Sequence, residues 1–84
     1  MPATYTERMD GFRRGLSVFC CGGAIPALIL VTPIHFRAML HDSTTELDRE
    51  TEPDLISIGI KGRWNGILVV QTQILAPAPG WRFL

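Results

Sequence analysis

Two histidines, two cysteines and eight acidic residues are the main reactive groups that this chain of 84 residues offers. His35 and His41 stand six positions apart, which on a helix puts them on different faces, and no cysteine or carboxylate spacing completes a metal site around either. The adjacent Cys20 and Cys21 cannot build the disulfide framework of a small secreted protein. Inside an apolar stretch they behave as small apolar residues. No serine–histidine–aspartate arrangement, phosphate-cradling glycine loop or pair of placed carboxylates can be assembled from the remaining polar residues. The expectation is a chain that is not an enzyme and carries no cofactor or metal.

The elements that would position these residues set the class of protein. Lysine plus arginine and aspartate plus glutamate both total 8, so the net charge is zero. Binding to nucleic-acid phosphates needs a basic excess or stripe, so nucleic acid is excluded as a partner. Hydrophobic residues make up 46% of the chain, too many for a disordered segment, and 84 residues suffice for one small domain at most.

Between Arg14 and Arg37 lies a run of 22 residues, 15–36, without a formal charge. As a helix it would cover about 33 Å, enough for a hydrocarbon core of about 30 Å. Arg13 and Arg14 at one end and Arg37 at the other are placed to reach the membrane interface, with His35 as an interfacial hydrogen-bonding group. The composition therefore predicts a single-pass membrane protein with one transmembrane helix over 15–36. No small-x-small cleavage pair follows the run, so the span is expected to be an uncleaved anchor. Arg8, Arg13 and Arg14 against Arg37 and Arg49 favour the N-terminus on the positive side. Cys20, Gly23, Ala24 and Ala27 supply small residues at i and i+4 twice over, predicting a close helix-packing face. Pro26 predicts a kink, and Pro33 a second bend or the end of the helix.

On this division, 1–14 is a polar leader and 37–54 an acidic extramembrane segment. Ser43 and Glu46 match a capping box, predicting a short helix from about Thr44 that Pro53 stops. Residues 55–84 form an apolar tail. Within it, Leu55–Ile60 and Ile67–Ile74 have strand patterning around the turn formers of Lys61–Gly66, which predicts a hairpin. Two strands alone are marginal in water, so the tail is expected to lack an independent core and to dock on a partner through Trp64, Trp81 and Phe83.

Gly15-Leu16-Ser17-Val18, Ile25-Pro26-Ala27-Leu28 and Ile34-His35 together resemble the membrane segment of the MWFE accessory subunit of mitochondrial respiratory complex I. The resemblance covers about 20 residues. It implies a non-catalytic accessory subunit of an inner-membrane respiratory-chain complex, one that supports assembly and stability. Its partners would be the lipid bilayer and the other membrane subunits of a large hetero-oligomer. The alternatives are a small viral or regulatory single-pass peptide that self-associates or binds a transporter, and a soluble interaction domain.

Overall fold

The computed structural model describes residues 4–42, 46–76 and 78–84. Helix α1 (Tyr5–Cys20) begins where Thr4 Oγ1 accepts the Glu7 N–H at 3.1 Å, an N-cap that satisfies one of the orphan amides of the first turn. Tyr5, Met9, Phe12 and Leu16 recur at spacings of four and three, so they line one side of the helix. Met9 and Phe12 are fully buried there, with Tyr5 and Leu16 packed against the same core. Within the expected polar leader, residues 5–14 are thus part of an amphipathic helix.

After Cys20 the chain turns. Gly23 takes a left-handed φ of 85°, Pro26 is buried in the connecting loop, and strand β1 (Leu28–Val31) follows. Helix α2 (Pro33–Asp42) starts on Pro33, where a missing N–H costs nothing. Strand β2 (Leu47–Arg49), helix α3 (Pro53–Ser57) and strands β3 (Ile60–Trp64), β4 (Ile67–Gln71) and β5 (Trp81–Phe83) complete the described chain. The five strands form one mixed sheet in the order β2-β3-β4-β1-β5. β1 runs parallel to β4 and antiparallel to β5, while β3 is antiparallel to both β2 and β4. Asn65 and Gly66, both at positive φ (48° and 87°), make the two-residue turn of the β3–β4 hairpin. At Gly62 in β3 a side chain would run into the Asp48 carbonyl of β2, so only glycine lets these strands pair.

One face of the sheet carries Ile29, Val31, Val69, Trp64, Trp81 and Phe83, and α1 and α2 cover it. Phe12 is the hub. Its ring lies 4.9 Å from His35, 5.2 Å from Trp64, 5.5 Å from Phe83 and 5.9 Å from Trp81. The opposite face presents Leu28, Leu30, Leu68 and Val70, all half-buried.

This architecture overturns the single-pass reading. Among the described residues no helix is long and apolar enough to cross a membrane. The uncharged run 15–36 is divided among the end of α1, a loop, β1 and the start of α2. A strand at the centre of a sheet is apolar on both faces, so end to end with a helix terminus it imitates one long apolar helix. The expected mitochondrial inner-membrane location and the respiratory-chain assignment therefore lose their support. The three motifs that resemble the complex I subunit lie in α1, at the loop and start of β1, and in α2, not along one helix.

The tail is corrected too. Residues 55–84 are no extended or core-less appendage: β3, β4 and β5 supply three of the five strands, and Trp64 and Val69 belong to the core. Leu55–Ser57 is part of α3 rather than a strand, because Pro53 opens a helix instead of closing one. The cap Ser43 and the expected helix start at Thr44 lie outside the described residues; Glu46, the other half of the capping box, leads directly into β2.

Candidate functional site

β5 is an outer strand with an unusual neighbour. Its hydrogen bonds to β1 use alternate residues: the Gly80 carbonyl accepts from Thr32 N–H at 2.9 Å, and Leu84 N–H donates to the Leu28 carbonyl at 2.9 Å. The alternation of an antiparallel ladder then turns the N–H and C=O groups of Trp81 and Phe83 outward, along the sheet edge. Among the described residues, no hydrogen bond from outside the sheet reaches either of them.

Alongside this edge runs helix α1. Gly15 touches the Trp81 ring so closely that a Cβ there would collide with it. The Phe19 ring lies 5.8 Å from that of Phe83. Between helix and strand opens a groove of about 470 Å³, walled by Gly11, Arg14, Gly15, Val18 and Phe19 on one side and by Trp81 and Phe83 on the other. Past Gly11 it continues into a hollow of about 230 Å³ between Glu7 and Arg8 and the Ala78–Pro79 segment. There the Arg8 guanidinium donates to the Pro79 carbonyl at 3.2 Å and closes the end. The helix advances about 16 Å from Arg8 to Phe19 and the strand segment about 13 Å from Pro79 to Phe83, room for about five extended residues.

The surface of the groove is predominantly apolar. Val18 is 71% exposed and Phe19 38%, on a helix whose other side buries Met9 and Phe12 completely. Arg14 is the cation of its central stretch. Gly11 belongs to the helical wall, and a Cβ placed on it would meet nothing within 4 Å. A second hollow of about 400 Å³ lies between Arg8, the Thr32–Ile34 corner and Gln73–Leu75, but no outer strand lines it.

The remaining residues singled out in the sequence fall elsewhere. Arg13, expected at a membrane interface, bridges the helix to the rest of the fold. Its guanidinium binds Asp42 at 2.8 Å and Glu46 at 3.0 Å and lies 5.6 Å from the centre of the Trp64 ring. Hydrogen bonds to Glu46 and then Asp42 raise its already high pKa. Arg37 is exposed on α2. His35 is buried, its backbone N–H donating to Thr32 Oγ1 at 3.2 Å, while neither ring nitrogen has a partner among the described residues. Burial first, and the charge of Arg8 second, push its pKa down to about 4. Cys20 ends α1, and Gly23, Ala24 and Ala27 lie exposed in the loop, so the four form no helical packing face. Trp64 is only 1% exposed and serves the protein's own core instead of docking a partner. Of the three proposed anchors, Trp81 and Phe83 do line the groove.

Among the described residues no group of three or more histidines, cysteines and acids is placed to hold a metal ion. The sequence hides the groove's helical wall, because 1–14 reads as polar and 15–36 as a span. The signal was present as Gly11, Gly15, Val18 and Phe19, a second stripe of α1 beside the core stripe. Compared with known proteins, the chain matches no family, no curated protein and no solved structure. The class defined by its fold is accordingly structural: a two-layer α/β domain with a mixed five-stranded sheet, one face of which is covered by helices.

Proposed function

We propose that this chain is a non-catalytic binding module that takes an extended segment of a partner protein as a sixth strand beside β5. One observation carries the reading: the outward backbone groups of Trp81 and Phe83 border an open apolar groove whose far wall is a helix. In strand addition, main-chain hydrogen bonds supply affinity and alternate side chains entering a groove supply selectivity. The fold holds both halves of that device side by side, because Gly15, lacking a side chain, lets the edge of the Trp81 ring come up against α1.

The test is selection of random heptapeptides displayed on phage against the whole chain and against Gly11→Leu. Leucine at this position adds a side chain to the groove's helical wall, and nothing lies within 4 Å of its Cβ. Enrichment of peptides on the wild type and their loss on Gly11→Leu is expected. In 15N spectra a selected peptide should shift the Trp81 and Phe83 amides and slow their hydrogen exchange. Peptides that bind both proteins equally, or that leave those two amides unmoved, would overturn the proposal.

A further inference from the structure

The geometry points to a sequence rule for the occupant, and this inference rests on the strand-addition reading: the groove selects an acidic residue two positions away from a large apolar one. Arg14 and Val18 lie one helical turn apart on the same wall. That separation is about 5.4–6 Å along the axis, and same-face side chains of an extended strand repeat at about 6.7 Å. Two consecutive inward side chains of an added strand would therefore meet Arg14 and the Val18–Phe19 end in turn.

The two positions differ in chemistry. Val18, Phe19 and Phe83 form an apolar end that accepts leucine, isoleucine or phenylalanine. Arg14 is exposed at the groove, unlike Arg13 one residue before it, which is held by Asp42 and Glu46. A guanidinium available at the rim of an apolar groove favours a carboxylate and repels a cation, which sets the choice of partner more than the affinity. Further along, beyond Gly11, Arg8 is tied to Pro79 and Glu7 contributes a carboxylate, so that end favours no second acid. The selective positions are therefore the two at the Arg14–Phe19 end.

The experiment uses an array of heptapeptides on a threonine–valine frame with two varied positions, placed one, two or three residues apart and in both orders. It is read with the wild type, Gly11→Leu and Arg14→Glu. The wild type should prefer glutamate or aspartate paired with phenylalanine, leucine or isoleucine at a separation of two, in one order. Arg14→Glu should reverse the charge preference, weakening the acidic peptides about fivefold and strengthening their lysine counterparts by a similar factor, as a single rim charge does. Arg14 is exposed, so this variant is expected to fold as the wild type does. If peptides bind in a Gly11→Leu-sensitive way but Arg14→Glu leaves the charge preference unchanged, or if the separation has no effect, this inference fails while the groove reading stands. If binding ignores Gly11→Leu, both fail.

Discussion

Strands β2 and β5 close opposite ends of one sheet, and the residues along them differ in kind. β2 is Leu47-Asp48-Arg49, next to the Arg13–Asp42–Glu46 ion cluster and followed by Glu50, whose carboxylate accepts the N–H groups of Thr51 and Glu52. Charges and a short length are the usual means of keeping an outer strand from pairing with another chain. β5 is as short, but two of its three residues are aromatic and its flank is an apolar groove. The same backbone exposure is thus guarded at one edge and supplied with a recognition surface at the other. The side chains, not the hydrogen-bonding capacity of the strand, decide which edge is suited to a partner.

The most damaging way to break this difference is to remove what supports β5 from below. Phe12 contacts Trp81, Phe83, Trp64 and His35 at once. Phe12→Ala should cost about 3–5 kcal/mol, the range for deleting a buried aromatic ring. Chemical denaturation followed by tryptophan fluorescence measures this. A loss under about 1 kcal/mol would mean that the aromatic cluster does not hold β5 in place.

Acid should act on the same support through His35. Its folded-state pKa of about 4 lies below the ordinary 6.5, so folding favours the neutral ring. Above about pH 6.5 the contribution is constant; as pH falls, the unfolded chain takes up a proton that the folded chain refuses until about pH 4. Stability should therefore fall by about 2 kcal/mol between pH 6.5 and pH 5. His35→Leu should flatten that window. Denaturation midpoints at pH 7, 6 and 5 for both proteins decide the matter, and parallel curves would place the acid sensitivity elsewhere.

At the guarded edge the effect should be smaller. Arg13→Met removes both ion pairs and the contact over Trp64 while keeping an apolar stem, and should cost about 1 kcal/mol because the cluster is partly exposed. Amide exchange should quicken in β2 more than in β5. Equal quickening at both edges would show that the ion cluster supports the sheet as a whole.

The smallest change should be a gain. Gly11→Ala puts a better helix former at a position with free space around it and should stabilise the fold by about 0.5–1 kcal/mol. Calorimetry would register it as a higher Tm. A lower Tm would mean that the groove wall at Gly11 is tighter than its geometry indicates.

Several elements are legible in the sequence in part. The turn formers of Lys61–Gly66 announce a hairpin, and Asn65-Gly66 does join β3 to β4. Lys61–Trp64 belong to β3 itself and not to the turn, so the first strand lies later than Leu55–Ile60. Tyr5, Met9, Phe12 and Leu16 carry helical spacing and Thr4 and Glu7 a capping pair, yet 1–14 reads as a polar leader because arginines and acids stand between them. Trp81 and Phe83 were recognisable as aromatics in need of a surface, and they line the groove. Trp64 carried the same signal but is buried, because residue type does not say whether the covering surface belongs to the same chain or to another.

What the sequence by itself determined is therefore local: a capped amphipathic start, a glycine turn, aromatics seeking cover, and an uncharged run that had to leave water. The tertiary structure decided how that run left water. Leu28–Val31 became a strand because β4 and β5, about forty and fifty residues further on, supply partners for its backbone on both sides. A helix satisfies its own hydrogen bonds and needs only an apolar surround, whereas a strand needs neighbours that only the folded chain brings together. The groove has the same origin: its two walls, α1 and β5, lie at opposite ends of the sequence and meet where Gly15 receives the Trp81 ring.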